Sequence, residues 1–276
     1  MTALLDEVAA ILASGGIAGA ATEADRMVRA AKASAPADHE NAARAMAARR
    51  AAGAPLAYVI GHESFMGVEL IAAEGALVPR KETELLGNTA LDVLRSCGSA
   101  TPRLIDMCCG SGNLACAIAH HLPGVRVWAS DLTDGCIAVT RRNVEHVGIS
   151  DRVVVTQGDL FTGLAGLRFE GAIDVIVCNP PYISQGKLAT DRAGLLEHEP
   201  REAFDGGPYG LSIQQRVVRE ALPFLRPGGV LLFEIGLGQD RQVKSLFDRA
   251  KVYEDIQFVA DAVGEVRVVS ARKRAG

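Results

Sequence analysis

The sequence predicts an α/β fold in which seven strands, mostly parallel, form one sheet with helices on both faces, preceded by a small helical region. Three observations predict it. From Arg103 onward, apolar strand-like runs alternate with helical periodicity. A helix after each strand returns the chain to the same end of the sheet, which makes neighbouring strands parallel. The first of these strands runs directly into a glycine-rich turn, and the last two strand-like runs have no helical pattern between them, which predicts an antiparallel edge pair.

The elements follow in chain order. Leu4, Leu5, Val8, Ala9 and Leu12 recur at helical spacing, Ser34 to Asp38 breaks the pattern, and a second helical stretch runs over 39–52 until Gly53 and Pro55 end it. Between 56 and 73 the period changes: Tyr58, Ile60, Phe65, Val68, Leu70 and Ile71, with Gly61 and Gly67 between them, predict a short hairpin. A helix over 81–96 follows Pro79. Strands are expected at 103–107, 125–129, 153–156, 173–178, 230–235, 256–259 and 266–270. Helices are expected at 114–121, 134–146, 213–225 and 240–250, with Asp134 as N-cap of the second. The organisation is then a helical domain over 1–54, a β-hairpin linker over 55–75 and a main domain over 76–276.

With 49% hydrophobic and 22% charged residues and a net charge of -4, the chain is an ordinary globular one whose charge balance does not favour non-specific binding to duplex nucleic acid, though it leaves room for a single basic groove. The apolar start carries Asp6 and Glu7 and lacks a basic opening, so it does not read as a secretory signal, and no apolar run reaches membrane-spanning length. A soluble, cytoplasmic protein is expected. The six cysteines form no C-x-x-C pair and have no companion histidine spacing for zinc, so they are expected as buried, reduced thiols and no metal is expected.

The turn Asp106-Met107-Cys108-Cys109-Gly110-Ser111-Gly112 lies between a strand and a helix. Glycines there let the backbone turn sharply and approach a ligand, as in a Rossmann-like sheet that holds a nucleotide at its carboxyl edge. Asp131, followed by Leu132, ends the next strand, where a carboxylate can accept from both ribose hydroxyls. Asp159 ends the third strand, placed to accept from an adenine amino group while Leu160 covers a ring face. Asp106 is either part of this cofactor site or a loop cap. The spacing departs from G-x-G-x-x-G because Cys108 occupies the first glycine position, which disfavours NAD.

Asn179-Pro180-Pro181-Tyr182 leaves the end of a wholly apolar-flanked strand. Two prolines stiffen the backbone and remove two donors. What remains is a pair of acceptors, the Asn179 side-chain oxygen and the Pro180 carbonyl, matched to the two donors of a planar NH₂ group, with Tyr182 offering a face to stack on it. A delocalised amino or amide nitrogen is a poor nucleophile. Two fixed acceptors orient it and favour the positive charge that develops as it attacks an electrophilic methyl group.

These residues resemble the class I S-adenosylmethionine (SAM)-dependent N-methyltransferases, and more narrowly the HemK/PrmC family, which methylates the glutamine side-chain amide in the Gly-Gly-Gln loop of peptide release factors. The resemblance covers nearly the whole chain. Pro55 to Gly61 with Glu63 and Phe65 resembles that family's linker, Val78-Pro79-Arg80-Lys81-Glu82-Thr83-Glu84 its Pro-Arg-Pro-Glu-Thr-Glu signature, and Glu199-Pro200-Arg201 with Gly206-Gly207 and Gly210-Leu211 the segment after its catalytic loop. The resemblance implies a SAM-methyltransferase sheet over 76–276 and a substrate-recognition role for 1–54. It implies that Asn179 and Pro180 bind the target amide, that Asp131 binds the ribose, that Gly110 and Gly112 flank the methionine part of SAM, and that Asp159 lies near adenine. Phe65, Arg80, Glu82, Glu84, Tyr182 and Glu199 are implied at the substrate side. Lys81 in place of the second proline, Cys109 where Thr is usual, His198 in place of an aromatic residue and Tyr209 in place of Asp are departures that bear on the substrate.

Two acceptors for the methyl group compete: a release-factor glutamine, or a small-molecule planar nitrogen such as the guanidinium of free L-arginine. A guanidinium needs carboxylates to pair with it, and Glu63, Glu82, Glu84, Glu197 and Glu199 are the candidates. A non-catalytic SAM-binding role is disfavoured by the intact tetrapeptide. DNA adenine methylation is disfavoured because no basic tract appears beyond Arg272-Lys273-Arg274.

Overall fold

The structure, a computed structural model, describes residues 2–167, 169–190 and 198–275. Internal contacts divide the chain into two compact units: residues 1–63 with 72–74, and residues 64–71 with 75–276.

The first unit is helical. Helices α1 (Thr2–Ser14), α2 (Ala20–Ser34) and α3 (His39–Ala51) bury Leu12, Met27, Val28, Ala43 and Ala47 against one another. The small alanines on α2 and α3 allow this close approach. Arg50 spans to Glu23 at 2.7 Å and Arg26 to Glu63 at 3.2 Å. Residues 56–60, expected as strand, form a one-turn helix α4 (Leu56–Ile60) instead. Pro55 opens it, and Gly61, at φ +87°, closes it in the left-handed conformation that glycine adopts without strain. The expected hairpin is shorter than predicted, β1 (His62–Phe65) and β2 (Val68–Ile71), and segment 55–75 is shared between the two units.

The second unit holds a seven-stranded sheet in the order β5-β4-β3-β6-β7-β9-β8. Its strands are β3 (Arg103–Met107), β4 (Arg126–Asp131), β5 (Val153–Gln157), β6 (Ile173–Cys178), β7 (Leu225–Glu234), β8 (Tyr253–Ala260) and β9 (Val266–Lys273). The first five are mutually parallel, and β9 pairs antiparallel with both β7 and β8, as the missing helix between them predicts. Among the described residues it also holds helices α5 (Glu84–Ser96), α6 (Asn113–His121), α7 (Asp134–His146), α8 (Gln185–Ala189), α9 (Ser212–Glu220) and α10 (Asp240–Ala250).

Alternate residues of each strand face opposite sides of the sheet. Leu104, Val175 and Leu232 therefore join one apolar layer with Leu86, Leu94 and Ile118, while Ile105, Ile176, Leu231 and Phe233 join the other with Val217 and Phe247. Both faces being covered is why these strands read as continuous apolar runs. The chain order reverses between β3 and β6: β4 and β5 lie to one side of β3, and β6 and β7 to the other. Loops leaving the carboxyl ends of β3 and β6 diverge there and leave a crevice. Among the described residues, no helix is long and apolar enough to cross a membrane.

Candidate active site

That crevice is a cleft of about 510 Å³ at the carboxyl ends of β3 to β6. Its floor comes from the turn after β3. Cys108 and Gly110 both stand at φ +57° and Gly112 at +76°, so the backbone folds back on itself before α6 begins. Cys109 N donates to Ser130 O at 3.1 Å, tying the turn to the end of β4. Cys108, Cys109 and Gly110 line the cleft. Gly112 is set behind it as the N-cap of α6, where an added Cβ would stand 2.7 Å from Thr140 Cγ2.

Asp131, at the end of β4, lines the cleft with its carboxylate already oriented. One oxygen accepts from Gly110 N at 2.9 Å, and the other from Leu132 N at 2.8 Å and Thr133 N at 3.3 Å. A carboxylate has roughly four lone-pair sites; the two backbone donors on Oδ1 occupy its pair, and Oδ2 retains capacity for a hydroxyl donor from a ligand. Leu132 lies beside it, 53% exposed, and also lines the cleft. Asp131 caps no helix. Thr133 caps α7 by accepting from Cys136 N at 3.3 Å, which corrects the assignment of Asp134 to that role: Asp134 is the first helical residue, one position too late to cap.

Asp106 sits apart from the cleft. It is wholly buried, one oxygen accepting from Ala115 N at 2.9 Å and the other without a partner. Burial, with the Asp131 carboxylate nearby, pushes its carboxyl from 3.8 up to about 8 despite that hydrogen bond. Its part is to hold the start of α6 rather than to touch a ligand. Asp159 does line the cleft, but the sequence assigned its carboxylate to an adenine amino group, and in the structure Arg216 Nη1 engages both of its oxygens, at 2.8 and 3.1 Å. Leu160 lines the cleft next to it at φ +49°.

Asn179 and Pro181 line the cleft at the end of β6, with Pro180 buried between them. Asn179 Nδ2 donates to Thr83 Oγ1 at 3.1 Å. Among the described residues, neither Asn179 Oδ1 nor the Pro180 carbonyl accepts from a protein donor. Tyr182 does not line the cleft: its hydroxyl donates to Glu234 Oε1 at 3.1 Å, and burial raises the phenol well above its ordinary value. The tetrapeptide is braced from behind. Gln239 Nε2 donates to Tyr182 O at 3.1 Å, and at Gly206 an added Cβ would stand 2.8 Å from Pro181 O.

The substrate-side candidates are scattered. Arg80 lines the cleft and pairs with Glu199, which is buried behind it and also accepts from Val78 N at 3.1 Å. Phe65 is fully buried in the apolar layer with Leu70 and Leu86. Glu84 is spent on Met66 N at 2.9 Å, and Glu82 is exposed outside the cleft. Glu63 belongs to the helical unit and pairs there with Arg26. Glu197 lies outside the described residues.

Sequence reasoning missed Thr83, Glu234 and Arg267. Thr83 Oγ1 donates to Glu234 Oε2 at 2.7 Å, and Arg267 Nη2 lies 3.6 Å from Glu234 Oε1. Burial pushes the Glu234 carboxyl up; the Thr83 bond, the Arg267 guanidinium and the Tyr182 bond oppose it. A charged residue closing the apolar run of β7 was the available signal, because a buried carboxylate requires partners. Burial also pushes the Cys109 and Cys178 thiols well above their ordinary value, so neither is a nucleophilic thiolate at neutral pH. Among the described residues, no group of three His, Cys, Asp or Glu side chains is arranged to hold a metal ion.

Residues 87–207 match the methyltransferase small domain family. A release factor glutamine methyltransferase of Moorella thermoacetica is 38% identical over 226 residues, 82% of this chain and 77% of that one. One of Bradyrhizobium diazoefficiens is 34% identical over 258 residues, 93% of this chain and 83% of that one. Among solved structures, the N-terminal domain of human METTL16 in complex with SAH superimposes with a TM-score of 0.56 at 17% identity, covering 84% of each chain, which is a likeness of fold.

Proposed function

Because the chain belongs to the family of release factor glutamine methyltransferases, and is a SAM-dependent methyltransferase, we propose that it transfers a methyl group to the side-chain amide nitrogen of a glutamine in a peptide chain release factor. The observation that carries this reading is that Asn179 lines a cleft also lined by Asp131 with its Oδ1 unpartnered among the described residues, next to a Pro180 carbonyl that likewise accepts from no described donor.

The residues present fit SAM. Asp131 offers an oriented carboxylate for a ribose hydroxyl, Leu132 and Leu160 offer apolar surface for a base, and at Gly110 an added Cβ would meet no protein atom within 4 Å, leaving the floor of the cleft open. When bound, SAM supplies an electrophilic methyl group on a sulfonium. The protein's own part is orientation and electrostatics. Asn179 Oδ1 and Pro180 O each accept one N–H of the amide, which fixes the plane of the NH₂ group and turns its nitrogen toward the methyl donor. Their partial negative charges stabilise the positive charge that grows on that nitrogen, in a site whose geometry does not have to reorganise. The proton that leaves after transfer starts in one of these two hydrogen bonds.

The relatives named above favour a neutral glutamine amide over a guanidinium, which would call for a free carboxylate. Of the carboxylates at the cleft, Glu202 has no partner among the described residues, whereas others are engaged. Asp159 is bound by Arg216 and Glu199 by Arg80. Against the upward push of burial, Gly207 N–H, Arg201 and Gln185 hold the Asp205 carboxyl below its usual value. We assign the helical unit, residues 1–54 of the expected organisation, to recognition of the protein substrate, and the cytoplasm as the compartment, where the six free cysteines stay reduced.

The test is to incubate the protein with labelled SAM and either a purified release factor or a panel of free amino acids including L-arginine. Label on release factor alone is expected. Label on free arginine and none on release factor would refute the reading.

A further inference from the structure

We infer that Thr83 and Glu234 are positioning residues that set which end of the Asn179 amide faces the cleft. The inference rests on the proposed amide-binding role of Asn179.

An asparagine side chain has nearly the same shape either way round. Flipped, it would present an NH₂ donor to the cleft instead of a carbonyl acceptor, and the target amide would meet a donor where it needs an acceptor. Something must break that near-degeneracy, and a chain of three buried or half-buried groups does. Glu234 Oε2 is a carboxylate oxygen and only accepts. It therefore takes the single hydrogen of the Thr83 hydroxyl, at 2.7 Å. With its hydrogen spent, the hydroxyl has only lone pairs left for Asn179, 3.1 Å away. The atom that faces Thr83 must then be Nδ2, and Oδ1 is left for the cleft, where no protein donor among the described residues reaches it.

The device costs a buried charge, and the fold accommodates it. Glu234 is 2% exposed and Thr83 1% exposed. The other Glu234 oxygen takes the Tyr182 hydroxyl at 3.1 Å and lies 3.6 Å from Arg267 Nη2, so one carboxylate fixes both ends of the tetrapeptide. Removing this charge alone would be costly, because Thr83, Tyr182 and Arg267 would lose their common partner. Through Thr83 the same carboxylate also reaches Asn179.

The experiment compares Thr83→Val, Thr83→Ser and Glu234→Gln with the unmodified protein, using a purified release factor, labelled SAM and calorimetric titration of SAM. Valine keeps the shape of threonine and removes the hydroxyl; serine restores it. Expected are a 10- to 100-fold fall in kcat for Thr83→Val and Glu234→Gln, recovery to within threefold in Thr83→Ser, and a SAM Kd within twofold throughout. A release factor whose target glutamine is replaced by glutamate should inhibit Thr83→Val more strongly than the unmodified protein, because a flipped Asn179 presents a donor to that carboxylate. A purely structural role predicts no such inhibition. Thr83→Val with kcat within threefold of the unmodified protein, or Thr83→Ser as slow as valine, overturns the inference. Absence of methylation by the unmodified protein would instead count against the release-factor reading.

Discussion

Asp131 Oδ2 accepts from Gly110 N at 2.9 Å, so the carboxylate at the end of β4 holds the tip of the turn after β3. The same side chain that would bind the ribose thus also shapes the backbone against which the methionine part of SAM would lie. Asp131→Ala should weaken SAM binding by about 1.5–3 kcal/mol, the scale of a charge-assisted hydrogen bond, with some of that loss coming from the freed turn. Calorimetry checks it, and an unchanged Kd would remove Asp131 from the site.

In the proposed mechanism Asn179 serves the substrate and Asp131 the cofactor. Asn179→Ala should lower methyl transfer roughly 100- to 1000-fold, the scale seen when one preorganised hydrogen-bonding group is removed from an active site. SAM affinity should stay nearly intact. Parallel rate and binding measurements separate the two, and loss of SAM binding in this variant would contradict the division.

Gly110 and Gly112 share the left-handed conformation but not the same surroundings. An alanine at either position pays roughly 1–2 kcal/mol for a positive φ. At Gly112 it also meets Thr140 Cγ2 at 2.7 Å, whereas at Gly110 it meets nothing within 4 Å. Overpacking of that kind adds about 1–3 kcal/mol. Urea denaturation should therefore find Gly112→Ala less stable than Gly110→Ala. Equal midpoints would show that the start of α6 yields to the extra carbon.

Asp106 should make stability fall as pH rises. Its carboxyl moves from 3.8 to about 8 on folding, so between those values the folded state holds a proton that the unfolded chain has lost. Stability from this group is complete below about 4 and is lost as pH rises through about 8. Asp106→Asn, which resembles the protonated acid, should remove that slope. Thermal midpoints of both proteins from pH 5 to 9 would test it; parallel curves would mean that Asp106 is ionised throughout.

Much of the fold was legible because it follows from local pattern. β3 and β6 match their expected bounds, since each is an apolar run buried on both faces and stopped by a turn. β7 starts at Leu225, five residues before the expected 230, because Pro227-Gly228-Gly229 hides a bulged beginning where the register with β6 shifts. Helix α9 ends at Glu220 rather than running to 225, short of Pro223. The one-turn α4 was read as strand because five residues are too few to show a helical period. The site was legible only where its residues are contiguous. The turn 106–112 and the tetrapeptide announce themselves, whereas Thr83, Asn179, Glu234 and Arg267 come together only once helix α5 and strands β6, β7 and β9 are assembled. Partners also decide roles that a sequence leaves open. Nothing near Asp159 in the chain foretells Arg216, fifty-seven positions away.

The central claim is that two acceptors at the end of β6 hold a flat NH₂ group for methyl transfer. A crystal structure of the protein with S-adenosylhomocysteine and a glutamine-bearing release factor tests it most directly. The glutamine amide nitrogen should lie within hydrogen-bonding distance of both Asn179 Oδ1 and the Pro180 carbonyl, facing the sulfur. A glutamine bound elsewhere, or Asn179 turned with its Nδ2 toward the substrate, would contradict the account.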